Sequence, residues 1–225
     1  MSKKVLLTGI SGYIGHHCAV ELLKNGYSVR GSVRNLSKSK EVIKSIKAKI
    51  DPKTNLEFCE LDLLSDTGWD DAVQDCQYVM HVASPFINIE PRDENLYIKP
   101  AVDGTMRALK SAKKAGVKRV VLTSSMESMI KNAEESILID SESWTNVDSP
   151  NVSAYAKSKT LAEKSAWEFI ENQDKKSPME LTVINPGPVF GPTLSNNSAP
   201  AAIPAPDPCF LVGVLTAMKM ISELL

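Results

Sequence analysis

Short apolar runs alternate along this chain with longer stretches in which apolar residues recur at helical spacing. The first unit, Val5 to Gly15 (VLLTGISGYIG), is an apolar run that breaks into glycines at 9, 12 and 15. A helical pattern, His17 to Leu23, follows at once, so the unit reads as strand, tight turn, helix. Tyr27 to Val33 reads as a second strand. Lys38 to Ile50 then places Val42, Ile43, Ile46 and Ile50 on one helical face. Leu56 to Leu61 is a third strand, and Asp66 or Thr67 can cap a short helix ending near Gln74. Tyr78 to Ala83 is apolar throughout, as expected of a strand covered on both faces. Asn95 to Ala115 is a long helix closed by Gly116, and Val117 to Thr123 is a fifth strand. Met126 to Pro150 is loop-like and acidic. Ser153 can cap a helix running to about Asn172, and Glu180 to Asn185 is a sixth strand.

Strand and helix thus alternate six times without an internal repeat. The predicted fold class is α/β, a doubly wound parallel sheet with right-handed crossovers. Seven of the 13 prolines fall between Pro186 and Pro208, a density that neither a helix nor a central strand tolerates. The domain boundary is therefore expected near 192, with residues 193–225 forming a proline-rich segment and an apolar tail. Phe210 to Leu225 has roughly helical spacing and is expected to pack on its own sheet or on another subunit.

Charge narrows the partners. With 26 Lys plus Arg against 27 Asp plus Glu, the chain has no field to gather nucleic acid or an anionic membrane, which leaves a small molecule. Cys18, Cys59, Cys76 and Cys209 form no CxxC pair, and three sit in apolar segments, as buried free thiols do. The apolar run before Gly9 is too short for a signal sequence, and no segment approaches a membrane span. These features predict a soluble, cytoplasmic protein. No His, Cys or carboxylate spacing suggests a metal site.

The candidate chemistry gathers at strand ends. Gly9 permits a turn, Gly12 lets a backbone approach a ligand, and Gly15 lets the helix pack against the strand. Such a turn directs backbone N–H groups and a helix N-terminus at one point, which suits a pyrophosphate. Its GxxGxxG spacing differs from the GxGxxG fingerprint, so taken alone it is a weak signal. Tyr155 and Lys159 stand four apart on the predicted sixth helix and project from one face. That pair alone is equally a feature of a solvated amphipathic surface. However, Thr123, Ser124 and Ser125 end the fifth strand, His81 to Pro85 follow the fourth, and Asn185 to Pro188 follow the sixth. In an open α/β sheet, ligands gather at the carboxyl ends of strands. Four strand ends and one helix face therefore converge on one crevice.

TGISGYIG, LDLL at 61–64, HVASP at 81–85, VLTSS at 121–125, YAKSK at 155–159 and INPGPVFGP at 184–192 occur in that order. In this the chain resembles the extended short-chain dehydrogenase/reductases, the NAD-dependent epimerase/dehydratase superfamily, from residue 3 to about 192. HVASP, VFGP and GSVR at 31–34 look most like the branch containing dihydroflavonol reductase, cinnamoyl-CoA reductase and yeast methylglyoxal reductase. The resemblance implies a Rossmann domain and NADP(H)-dependent reduction of an aldehyde or ketone.

The resemblance also implies roles. Tyr155 would be the general acid that protonates the carbonyl oxygen. Lys159 would lower the phenol's pKa and hydrogen-bond the nicotinamide ribose. Ser125, the last serine of its run, would donate to the carbonyl, with Ser124 the neighbouring alternative. Gly9, Gly12, Tyr13, Ile14 and Gly15 would hold the pyrophosphate, Asp62 and Leu63 the adenine. Ala83, Ser84, Thr123, Pro186 and Val189 would line the rest of the cofactor. Asp62 can equally serve a turn. At the end of the second strand the chain offers Gly31, Ser32, Arg34 and Lys38 and no acid, which favours a 2′-phosphate over a free ribose hydroxyl.

His16, His17 and His81 are expected to be structural, Trp144 and Trp167 to pack, and Met126 and Met129 to line a substrate pocket. A homodimer through the helices at 95–115 and 153–172 would follow the family pattern. Family members continue well beyond VFGP to build a substrate lobe, whereas 33 residues follow Pro192, so that lobe is expected to be mostly missing. Two other readings are open: a nucleotide-sugar epimerase or dehydratase, against which Arg34 argues, and a nucleotide-binding protein whose catalysis is impaired.

Overall fold

Val5, Leu6 and Leu7 are fully buried in the first strand, β1 (Lys4–Thr8), because alternate side chains enter two different cores. The computed structural model describes residues 3–85, 91–130, 139–189 and 191–194. Chain order continues with α1 (Tyr13–Lys24), β2 (Ser28–Val33), α2 (Ser39–Lys47), β3 (Leu56–Glu60), α3 (Trp69–Ala72) and β4 (Tyr78–His81). Then come α4 (Asn95–Lys114), β5 (Arg119–Thr123), α5 (Ala154–Glu171) and β6 (Glu180–Ile184). All adjacent strands pair in parallel, in the order β3-β2-β1-β4-β5-β6.

Val5, Leu7, Val29, Val33, Met80 and Val121 face α1 and α2. Leu6, Val79, Val120 and Leu122 face α3, α4 and α5. Helices therefore cover both faces, as the continuous apolar strands predict. The strand order reverses between β1 and β4, so a crevice opens outside their carboxyl ends.

One side chain closes that junction. The Thr8 hydroxyl, 1 % exposed, accepts the N–H groups of Val82 and Ala83, both at 3.0 Å, and lies 3.0 Å from His81 Nδ1. A hydroxyl has two lone pairs and one proton, so with both N–H groups accepted its proton goes to Nδ1. His81 must then be neutral at Nδ1. Burial has the same effect, pushing the imidazole down to about 3.

Several boundaries differ from the sequence expectation. The first helix begins at Tyr13, not near His17, because the Gly12 carbonyl accepts His16 N–H at 3.0 Å and starts the helix inside the glycine turn. A 3₁₀ turn, Leu36–Lys38, precedes α2, with Asn35 Oδ1 accepting Ser37 N–H at 2.8 Å. Neither Asp66 nor Thr67 caps α3. Gly68 does so at φ 83°, while Asp66 instead binds Arg107 Nε at 2.6 Å. The fifth strand starts at Arg119, since Val117 N–H still bonds back to Ala112 O of α4 and Gly116 turns the chain at φ 72°. A 3₁₀ turn, Met126–Ser128, opens the loop after β5. The apolar tail, most of the proline-rich segment, Cys209 and part of that loop lie outside the described residues. Cys18, Cys59 and Cys76 are free thiols, and no described helix is long and apolar enough to cross a membrane.

Thr8→Val keeps the shape of this side chain but strands two backbone N–H groups and His81 Nδ1. It is expected to lower the unfolding free energy by about 2–4 kcal/mol. Thr8→Ser, which keeps the hydroxyl, is expected to lose under half as much, both read from urea unfolding at pH 7.

Candidate active site

Because the sheet is parallel, the segments after β1, β2, β4, β5 and β6 all leave from one edge. β1, β4, β5 and β6 are consecutive neighbours there, so the convergence expected from sequence is present. At the crevice, Gly9 (φ 69°) sits against Ala83: a Cβ on Gly9 would stand 2.9 Å from Ala83 Cα. A Cβ on Gly15 would collide with the Gly9 carbonyl, so this glycine does serve close packing of helix on turn. A Cβ on Gly12 would meet only Gly9 O, at 3.3 Å. α1 starts there without a side-chain cap, leaving its first-turn N–H groups without the acceptor an N-cap supplies. This cradle fits a pyrophosphate. Ile14 packs into the adjoining core, and the Tyr13 ring stands edge-on to His17, 5.1 Å between centroids. His16 Nδ1 bonds Gly12 O at 2.9 Å and His17 Nε2 bonds Pro192 O at 3.1 Å, which gives both histidines structural contacts.

At the end of β2 the roles divide differently from the sequence reading. Gly31 and Ser32 are buried. The space a Gly31 side chain would take is filled by Ile10, and Ser32 Oγ accepts Gly9 N–H at 3.2 Å. Both residues support the glycine turn. Arg34 and Lys38 are exposed beyond them, Lys38 Nζ being 4.0 Å from Glu41. A carboxylate does reach this loop, from the neighbouring strand: Glu60 Oε2 accepts Leu36 N–H at 3.1 Å. Asp62 Oδ1 accepts Leu64 N–H at 2.8 Å in a turn, and Leu63 packs under Gly104 of α4.

Deeper in the crevice, Ser125 Oγ accepts Glu127 N–H at 3.2 Å, which leaves its own proton for the Tyr155 oxygen, and the two hydroxyls are hydrogen-bonded. Ser124 is turned away, its hydroxyl 3.4 Å from Ser128 Oγ. Tyr155 also stands edge-on to Tyr97 of α4 at 5.9 Å. Burial raises its pKa and the Ser125 bond partly offsets this, with Glu127 and Tyr97 raising it further. The phenol is therefore a proton donor at neutral pH. The lowering by Lys159 expected from sequence is not seen among the protein's own groups; the ammonium lies 5.9 Å from the ring centroid, and burial dominates.

Lys159 is 6 % exposed, and burial pulls it down to about 8 against the opposing pull of Glu163. Its ammonium donates to Thr123 O at 3.2 Å. That is one of three protons, so two donor positions remain for a ligand's hydroxyls. Ser84 and Thr123 line the small cavity of ≈ 10 Å³ beside it. Pro186 O accepts Met126 N–H at 2.9 Å, and Val189 follows half-buried. Met126 stands over Gly187, where a Cβ would be 3.3 Å from its sulfur. Trp144 lies under the Lys164 ammonium at 5.2 Å, and Trp167 Nε1 reaches Glu163 at 3.4 Å; both rings are half-buried. Among the described residues no group of His, Cys, Asp or Glu is placed to hold a metal ion.

The profile of the NAD dependent epimerase/dehydratase family matches residues 5–205. The chain belongs to that family. It is 34 % identical over 214 residues to a bifunctional dihydroflavonol 4-reductase/flavanone 4-reductase of Pyrus communis, covering 92 % of this chain and 60 % of the relative. To a cinnamoyl-CoA reductase of Medicago truncatula it is 36 % identical over 207 residues, covering 88 % and 62 %. Among solved structures it resembles yeast methylglyoxal/isovaleraldehyde reductase Gre2 complexed with NADPH, with a TM-score of 0.74 and 33 % identity over 84 % of this chain and 59 % of that one. The chain thus spans about three fifths of the length of these relatives.

A buried ammonium costs stability. Lys159 titrates near 8 in the fold and near 10.5 when unfolded, so below 8 the unfolded state holds its proton more tightly. That destabilisation is full at pH 7 and fades as pH rises from about 8 to 10.5. The unmodified chain is therefore expected to gain about 1–3 kcal/mol of unfolding free energy from this group between pH 7 and 10.5. Lys159→Met should lack that pH-dependent gain, as followed by urea unfolding across that range.

Proposed function

We propose that this chain carries the site of an NADPH-dependent reductase that transfers hydride to the carbonyl of an aldehyde or ketone. The observation that supports this most directly is the Ser125–Tyr155 hydroxyl pair beside the buried Lys159, on the edge where the Gly9–Gly15 turn forms its cradle. The reductase relatives and the NADPH complex of the yeast neighbour favour the same chemistry.

NADPH supplies the hydride. In this reading the first turn of α1 holds the pyrophosphate, the two free donor positions of Lys159 hold the nicotinamide ribose, and Arg34 with Lys38 holds the 2′-phosphate. A carbonyl oxygen seated between Ser125 Oγ and Tyr155 Oη receives a hydrogen bond from each. Both bonds strengthen as negative charge grows on that oxygen. The Tyr155 proton then passes to it, and the Ser125 hydrogen bond, which lowers the phenol's pKa, favours the tyrosinate left behind.

The direct test is to titrate the chain with NADPH and NADH by fluorescence, then follow cofactor oxidation with a panel of aldehydes and ketones. Binding of NADPH with turnover supports the proposal, whereas binding without turnover across the panel would reduce it to a nucleotide-binding role. Tyr155→Phe is expected to lower kcat by about 100-fold or more, the scale of a lost general acid, with the NADPH Kd within about twofold. Retained turnover in this variant removes Tyr155 from the mechanism. Arg34→Ser should weaken NADPH by about tenfold and leave NADH nearly unchanged, because only NADPH carries the phosphate that a guanidinium grips. Equal losses for the two cofactors would show that Arg34 does not read the phosphate.

A further inference from the structure

Glu163 is 6 % exposed, one helical turn beyond Lys159 and two beyond Tyr155 on α5. A buried carboxylate is unfavourable unless it is paired and hydrogen-bonded. This one is tied to segments far away in sequence. Its Oε2 lies 2.7 Å from Ser128 Oγ and 2.8 Å from Asn185 Nδ2, and Trp167 Nε1 reaches Oε1 at 3.4 Å. Ser128 closes the 3₁₀ turn that begins at Ser125, and Asn185 directly follows β6.

The donors can be counted. Ser128 has one proton and two acceptors in reach, Glu163 and Ser125 O at 2.8 Å. The ionised carboxylate is the stronger of the two. Asn185 offers two protons to three acceptors in reach, Glu163 at 2.8 Å, Ser128 Oγ at 2.9 Å and Ser125 O at 3.3 Å, and of these the carboxylate is the nearest and the one that carries charge. The carboxylate is thus the acceptor on which both donors converge. Glu163 and Lys159 also line the same ≈ 10 Å³ cavity, with Ser124, Thr105 and His81.

We propose that Glu163 is a positioning residue of the reductase site: its carboxylate anchors the Ser125–Ser128 turn through Ser128 and Asn185 and supplies the countercharge that keeps the Lys159 ammonium charged in its buried place. This rests on the reductase reading above for its effect on turnover, but not for its effect on Lys159. The titratable groups facing Lys159 are Glu163 and Tyr155 on its own helix and His81 at the end of β4, while Glu127 acts on Tyr155. α4 brings Ala101 and Thr105 to the cavity, neither of them charged. His81 is neutral above pH 4, given its value of about 3. Glu163 is therefore the one negative group acting on Lys159 among the described residues. Electrostatic attraction from it opposes the lowering that burial imposes.

The test is Glu163→Gln, which keeps the shape and a carbonyl acceptor and removes the charge, with Glu163→Asp as the variant that keeps the charge. Lys159 is followed directly by ¹³C NMR of lysine Cε, its resonance assigned by its disappearance in Lys159→Met. In the unmodified chain it should titrate near 8. In Glu163→Gln it should titrate about one pH unit lower, the scale of one nearby countercharge, and in Glu163→Asp most of that shift should be recovered. With an aldehyde turned over, the basic limb of the kcat profile should move down by the same amount while the NADPH Kd stays within about twofold.

An unmoved Lys159 titration in a folded Glu163→Gln variant overturns the proposal. If Glu163→Gln does not fold, Glu163→Met decides, since it removes the charge without adding a polar group to satisfy: an unshifted Lys159 in folded Glu163→Met assigns Glu163 to stability alone. Absence of any carbonyl turnover in the unmodified chain would overturn the reductase reading, while the NMR titration still decides whether Glu163 holds the charge on Lys159.

Discussion

The Thr8 hydroxyl joins the two halves of the sheet at the point where everything else meets. It accepts Val82 and Ala83 N–H, both at 3.0 Å, just beyond the last β1–β4 pair, Thr8 with His81. Those two amides belong to a strand that has stopped pairing, and without a side-chain acceptor they would be half-buried and unsatisfied. By taking them, Thr8 draws the chain after β4 inward until Ala83 rests on Gly9. The glycine turn is then fixed from two sides, by Ala83 and by Ser32 Oγ on Gly9 N–H. A cradle built from backbone must be held by such contacts, because it has no side chains of its own to set its shape.

The apolar strands were legible in the sequence because helices cover both faces and make each run nearly continuous. The glycine turn, Ser125, Tyr155 and Lys159 were legible as spaced residue types that only convergent strand ends bring together. What escaped was anything that depended on which neighbour fills a space. Gly31 was read only as part of an acid-free end of the second strand, and the folded chain alone places Ile10 where a side chain there would go. The cap of α3 went to Gly68 because Asp66 was drawn to Arg107, 41 residues away. Glu163 sits on a helix rich in Lys and Glu, where a glutamate ordinarily faces solvent. Its partners, Ser128 and Asn185, lie 35 and 22 residues away and could not be paired with it by spacing.

Polar burial separates this site from the two apolar cores. Ser124, Ser125, Ser128, Lys159 and Glu163 are all buried, yet they occupy one layer between the sheet edge and α5. Apolar residues of similar volume would often be as stable or more so. The layer is connected through Ser128 Oγ, which touches Ser124, Ser125, Glu163 and Asn185. A shift of one member would leave another with an unfilled donor or acceptor, and the cost of that in a water-poor interior fixes the arrangement more sharply than packing alone.

The same layer explains why the phenol and the ammonium can both stay protonated at neutral pH. Burial raises Tyr155 and lowers Lys159, so each is moved toward its neutral form. For the phenol the neutral form is the one that donates a proton. For the lysine it is the form that has lost the charge, and at about 8 it stops only a little above neutrality. Burying the pair together therefore favours the acid and endangers its electrostatic partner, and a carboxylate one turn along the helix corrects the second effect. Placed there, Glu163 is further along α5 from the phenol than from the ammonium, so it can hold the charge on Lys159 while the groups that dominate Tyr155 remain burial and Ser125.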